Sequence, residues 1–132
     1  ILLILAAGRF WAEEQSSDPI GEHLFPPELL MQNQQAIGLT DEQRTAIQKE
    51  IQTAQSTFTD WQWKLQNEME HMVSLIKQDH VDEQKVLNQL DQILNIEREI
   101  KRTHFALVIR IKNKLTPDQI AKLVEIKKQS GK

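Results

Sequence analysis

Between Ile47 and Ile76 apolar residues recur as Ile47, Ile51, Ala54, Phe58, Trp61, Leu65, Met69, Met72 and Ile76, in steps of four and three. That rhythm is one face of an α-helix, and no Pro or Gly interrupts it. A second rhythm, Val86, Leu90, Ile93, Glu97, Ile100, His104, Leu107 and Ile111, follows after Lys77-Gln78-Asp79-His80. These spacings predict two helices of roughly 38 and 31 residues, about 57 and 46 Å long. The break between them is short, so the two must run antiparallel as neighbours. Either Asp79 or Asp82 can cap the second one.

The two long helices together are bracketed by the same phrase. Leu39-Thr40-Asp41-Glu42-Gln43 and Leu115-Thr116-Pro117-Asp118-Gln119 both spell Leu-Thr-x-x-Gln. Thr is a good N-cap, and Gln three residues on reaches back to the cap's own N–H, completing a capping box. Asp41, Glu42 and Asp118 place negative charge in the first turn, where the helix dipole favours it. Pro117 occupies the first helical position, where a missing N–H costs nothing. Leu115 can staple onto Ile120; in the first copy the equivalent position is Arg44, so that staple is absent or uses Ile47. A short helix from Pro27 to about Ala36, ended by Gly38, precedes the first phrase, and another from Pro117 to about Gln129 follows the second. The expected fold is therefore all-α, four helices in short-long-long-short order.

Composition agrees with this and removes several function classes. With four Gly, four Pro and no Tyr in 132 residues, a many-turned β protein is a poor fit. The net charge of −3 and the lack of a basic block argue against nucleic acid as a partner. The chain has no Cys, so disulfides, thiolate metal sites and a Cys nucleophile are excluded. No Ser or Thr has a base at recognisable spacing, and no Gly-rich loop can cradle phosphate. A non-enzyme is expected.

Residues 1–11 read as the end of a signal peptide or of a membrane anchor. Ile1 to Leu5 are apolar, Ala6-Ala7-Gly8 suits a cleavage site, and Arg9, Phe10 and Trp11 suit an interface. Either reading places the remainder outside the cytoplasm. Residues 12–26, polar with Pro19 and Gly21, read as a linker, and 27–130 as the helical domain.

Two Leu-Thr-x-x-Gln phrases in an exported helical chain resemble the periplasmic LTXXQ-motif family. Its members divide between stress chaperones of the Spy and CpxP type and metal-sensing or metal-resistance proteins of the CnrX and ZraP type. Leu39, Thr40, Gln43, Leu115, Thr116 and Gln119 carry the match. The resemblance implies a hooked helical hairpin, a homodimer, and a curved cradle with an apolar concave face. It implies either a stress-response accessory protein, binding unfolded clients or an envelope signalling partner, or a heavy-metal sensor or resistance protein tethered to the inner membrane.

Three sets of residues are candidates for function. Trp61, Trp63, Phe105 and Val108 form the client or dimer contact. Trp63 lies about 200° round the helix from Trp61, so both cannot face one partner, and Phe105, Val108 and Ile109 make the stretch from His104 to Ile111 apolar on nearly every side. The bland reading of Trp63 is one exposed Trp. His104, with Glu97 on its own helix and His71 or Glu68 across the hairpin, is the metal candidate for an N/O site. Its bland reading is a His hydrogen-bonded to a carboxylate such as Glu97. Metal-sensing relatives carry a Met four residues after the corresponding His, where this chain has Val108, and paired His on the first helix, where it has none. Met69 and Met72 fit core filling better than soft ligation. No cofactor is required by any of these patterns, and a divalent transition metal such as Ni, Co, Zn or Cu is the one ligand class they admit.

Overall fold

The computed structural model describes residues 19–130, which contain α-helices and no strands. The expectation for residues 1–11 lies outside them. Six helices follow in order: α1 Pro19–His23, α2 Pro27–Gln32, α3 Gln34–Ile37, α4 Asp41–Ile76, α5 Glu83–Lys112 and α6 Pro117–Ser130. The helices α4 and α5 pack along each other as an antiparallel hairpin, and α3 meets α6 across its open end. The short-long-long-short hooked hairpin is thus present, with its first short helix broken in two at Asn33.

The boundaries follow local chemistry. Helix α4 has 36 residues, about 54 Å at 1.5 Å per residue. It starts on a complete Thr40–Gln43 capping box and ends at Lys77. Helix α5 starts on Asp82, whose carboxylate accepts the Lys85 N–H at 3.2 Å. Arg110 and Lys112 sit in its last turn, where the helix dipole favours cations. Gly38 has φ 70°. In that left-handed conformation it lets the Leu39 N–H return to the Gln34 carbonyl at 2.9 Å, which closes α3 as a Schellman turn and redirects the chain into α4.

The core sits at the open end of the hairpin. Phe25, Leu30, Ile37, Leu39, Ile47, Ala54, Leu107, Ile111, Leu115 and Leu123 form one buried cluster. Both phrase leucines, Leu39 and Leu115, belong to it, so the phrase anchors its apolar residue as well as capping a helix. Ile120 packs at the margin of this cluster and Ile47 lies inside it.

Residues 12–26 do not behave throughout as a linker. Pro19–His23 is helical and Phe25 is in the core. Lys127 Nζ donates to the Gly21 and Leu24 carbonyls, and Lys112 Nζ donates to the His23 carbonyl at 2.7 Å. Lys127 also lies 5.9 Å from the Phe25 ring centre. The polarity of the segment concealed this, because lysines far along the chain satisfy its carbonyls while a single aromatic residue supplies the burial.

Candidate functional site

The two capped phrases meet in space. Gln43 Nε2 donates to Gln119 Oε1 at 2.8 Å, and Gln119 Nε2 donates to Gln43 Oε1 at 2.9 Å. Each amide also serves its own helix start: Gln43 Oε1 accepts the Thr40 N–H at 3.0 Å, and Gln119 Oε1 accepts the Thr116 N–H at 2.9 Å. Each then reaches the residue preceding the other phrase. Gln43 Nε2 donates to the Lys114 carbonyl and Gln119 Nε2 to the Gly38 carbonyl. Both donors and both acceptor positions of each amide are therefore used. The arrangement is pseudo-symmetric and holds the hook closed over the core.

Farther along the hairpin a second polar contact sets the register. Gln89 is buried, and its Nε2 donates to the Glu68 carbonyl at 2.8 Å and to Glu68 Oε2 at 2.6 Å. This contact rotates the inward face of α5. In the half of α5 far from the hook the spacing places Leu90, Ile93 and Glu97 inward, but Gln89, Ile93 and Ile96 are the buried residues, while Leu107 and Ile111 of the same stripe are buried as expected. After Val86 the choice lies between Gln89 and Leu90, and after Ile93 between Ile96 and Glu97. Satisfaction of the Gln89 amide and exclusion of the Glu97 charge decided between them.

That rotation moves the metal candidates. His104 and Glu97 are exposed on α5, away from the buried face, and His71 is exposed on α4. They do not converge: His104 makes an edge contact with the Phe105 ring, and Glu68 is occupied with Gln89. Among the described residues no group of three or more His, Asp or Glu could hold a metal ion. The candidate His104–Glu97–His71 site is therefore not assembled among the described residues of one chain.

The candidate contact residues separate. Val108 is 5% exposed and belongs to the interior, which removes it as a contact for clients. Trp61 and Phe105 are half-buried, and Lys64 Nζ lies 4.5 Å from the Trp61 ring centre. Trp63 is 62% exposed. The Glu68–Gln89 register sets Trp63 level with Leu94 along the hairpin.

A larger apolar surface follows from the same rotation. Leu87, Leu90 and Leu94 are all exposed and lie at i, i+3 and i+7, so they share one stripe of α5. Val73 and Ile76 at the end of α4 and Val81 in the turn are exposed as well. Sequence spacing places Leu90 in the core stripe and Leu87 and Leu94 outside it. The signal was there in their own 3-4 spacing, a second apolar stripe beside the first.

The architecture and its interlocked caps define a class: an all-α hooked hairpin whose repeated Leu-Thr-x-x-Gln phrases close its open end and leave an apolar stripe of its far half uncovered. A family model described as heavy-metal resistance matches residues 1–122. The chain belongs to that heavy-metal resistance family, the LTXXQ-motif group of proteins related to Spy and CpxP. No curated protein and no solved structure shows a significant match to it.

Proposed function

We propose that this protein is a periplasmic stress-response accessory protein of the Spy and CpxP kind. It binds unfolded clients, or a signalling partner in the envelope, through apolar helix faces, and it works by binding rather than by catalysis. The observation that carries this reading is the Leu87, Leu90 and Leu94 stripe, with Trp63 at the same height on the other long helix. Contiguous exposed apolar surface of this kind marks an interaction site. The protein acts as a homodimer in the periplasm, free or tethered to the inner membrane by its N-terminal segment. Among the described residues no helix is long and apolar enough to cross a membrane.

Aggregation of a chemically denatured client, followed by light scattering, tests the reading. The wild-type chain slows it, and Trp63→Ala combined with Leu90→Ser and Leu94→Ser does not. If the wild-type chain fails to slow aggregation of several clients, client binding is ruled out.

The family's description as heavy-metal resistance favours a second reading, a sensor or resistance protein for Ni, Co, Zn or Cu. The scattered positions of His71, Glu97 and His104 require its metal site to draw on a second copy or on residues before Pro19. Calorimetric titration decides. Micromolar binding abolished by His104→Ala places the metal reading first, and no heat with any of the four ions retires it.

A further inference from the structure

A groove of about 250 Å³ opens between α4 and α5 in the half of the hairpin nearest the hook. Its floor is apolar and low, made by Ala54, Ala106 and Leu107, and its sides carry Arg102, Arg110 and Glu50. Thr53, Thr57 and Thr103 complete it. The caps and the leucine stripe use none of these residues.

The charges are unbalanced. Glu50 lies 3.7 Å from Arg110 and 3.9 Å from Lys114, beyond good hydrogen-bond distance for either. Among the described residues Arg102 has no ion-pair partner. The two arginines are eight residues apart, about 12 Å along the helix, and both line the groove. Guanidinium groups recognise carboxylates by paired N–H donors.

The hydroxyls narrow the chemistry. Thr53, Thr57 and Thr103 donate to the carbonyls of Lys49, Thr53 and Glu99 at 3.0, 3.1 and 2.8 Å. With their protons committed, these oxygens offer lone pairs and suit an N–H donor. The same lone pairs, with Glu50, disfavour a compact dianion such as phosphate. A groove with cationic walls, acceptor oxygens and a methyl-lined floor fits a peptide with an acidic side chain. The carboxylate takes the guanidiniums, the methylenes cover Ala54 and Ala106, and the peptide N–H groups meet the threonine oxygens.

We propose that this groove is a docking site for an acidic peptide segment of a partner protein, centred on Arg102 and Arg110 and separate from the apolar stripe. Glu50 holds Arg110 loosely when the site is empty and competes with the incoming carboxylate.

Fluorescence anisotropy with a labelled peptide of Glu and Gly tests this on the full chain. The expected result is saturable binding that weakens with salt, with the Gln counterpart of the peptide at least tenfold weaker. Arg102→Gln with Arg110→Gln lowers affinity at least tenfold, and Lys128→Gln, a charge loss outside the groove, changes it less than twofold. Glu50→Gln tightens binding, a gain that no folding defect imitates. Glutarate displaces the peptide at concentrations where inorganic phosphate does not. Equal binding of the Glu and Gln peptides, an unchanged affinity in the double arginine variant, or displacement by phosphate at the glutarate concentration overturns the proposal.

Discussion

Gln43 and Gln119 hydrogen-bond to each other in both directions, 76 positions apart in the chain. The pairing converts two local helix starts into one long-range clasp. Removing either amide strands the other, the Thr N–H of its own cap, and a carbonyl at Lys114 or Gly38. Gln119→Ala is expected to destabilise the fold by about 2 kcal/mol, because it leaves the half-buried Gln43 amide and two part-buried backbone groups unpaired at once. Urea unfolding followed by circular dichroism measures it. A double-mutant cycle with Gln43→Ala is expected to show coupling of about 1 kcal/mol or more; strictly additive losses would show that the clasp contributes nothing as a pair.

The clasp depends on amides and not merely on polarity. Gln119→Glu keeps the acceptor for the Thr116 N–H and loses both donors. It also sets a carboxylate against Gln43 Oε1 and the Gly38 carbonyl. At neutral pH it is expected to be at least as destabilising as Gln119→Ala. Thermal unfolding of both variants in one buffer gives the order.

The caps act separately from the clasp. Thr40→Ala removes the acceptor for the Gln43 N–H, a bond of 3.1 Å, and Thr116→Ala removes its counterpart at 3.2 Å. Each is expected to cost about 1 kcal/mol, the usual value for an N-cap. Chemical denaturation resolves a loss of this size, and a Thr→Ser substitution at either site is expected to recover most of it.

The segment before α2 is fastened by lysines. Lys127→Met keeps the aliphatic stem and removes the donor to the Gly21 and Leu24 carbonyls. Amide exchange over residues 19–25 is expected to accelerate roughly fivefold, the equivalent of about 1 kcal/mol of local opening, with the α4–α5 hairpin unaffected. Phe25→Ala, by contrast, opens a cavity in the shared core and is expected to lower global stability by about 3–5 kcal/mol. Hydrogen exchange across the whole chain separates the two effects.

The Gln89–Glu68 contact sets register more than it stabilises. Glu68 is only half-buried, so its carboxylate can return to water when Gln89 is removed. Gln89→Leu is expected to change stability by less than about 1 kcal/mol, since a half-buried Glu68 that regains water is not left unsatisfied and the leucine adds apolar burial. The expected change is in the partition of the α5 faces, read as altered solvent protection of Leu90 and Leu94 by methyl NMR.

Local rules carried the element types, the antiparallel pairing and the helix starts. The capping contacts of Thr40, Gln43, Asp82, Thr116 and Gly38 fall within four residues of each, so those roles are legible from spacing. The unbroken periodicity of α4 likewise left no alternative to a long helix. The inward face of α5 was not legible, because Leu87, Leu90 and Leu94 form as regular a stripe as Ile93, Ile96 and Ile100. Periodicity reports that apolar faces exist and is silent on which one a neighbour covers. Only the packing of α4, through Glu68, chose Gln89 over Leu90. With that choice His104 and Glu97 turned outward, and the candidate metal ligands lost their partners across the hairpin.

The repeated phrase shows the same division. By itself it specified two capped helices and marked the family. That the two glutamines would bond to each other, saturate every hydrogen-bonding position of both amides and hold the hook over Phe25, Leu39, Leu115 and Leu123 was decided by tertiary structure. A capping box satisfies only part of a glutamine's bonding capacity. The rest is met by whatever the fold brings near, and here the fold brings the second copy of the same phrase.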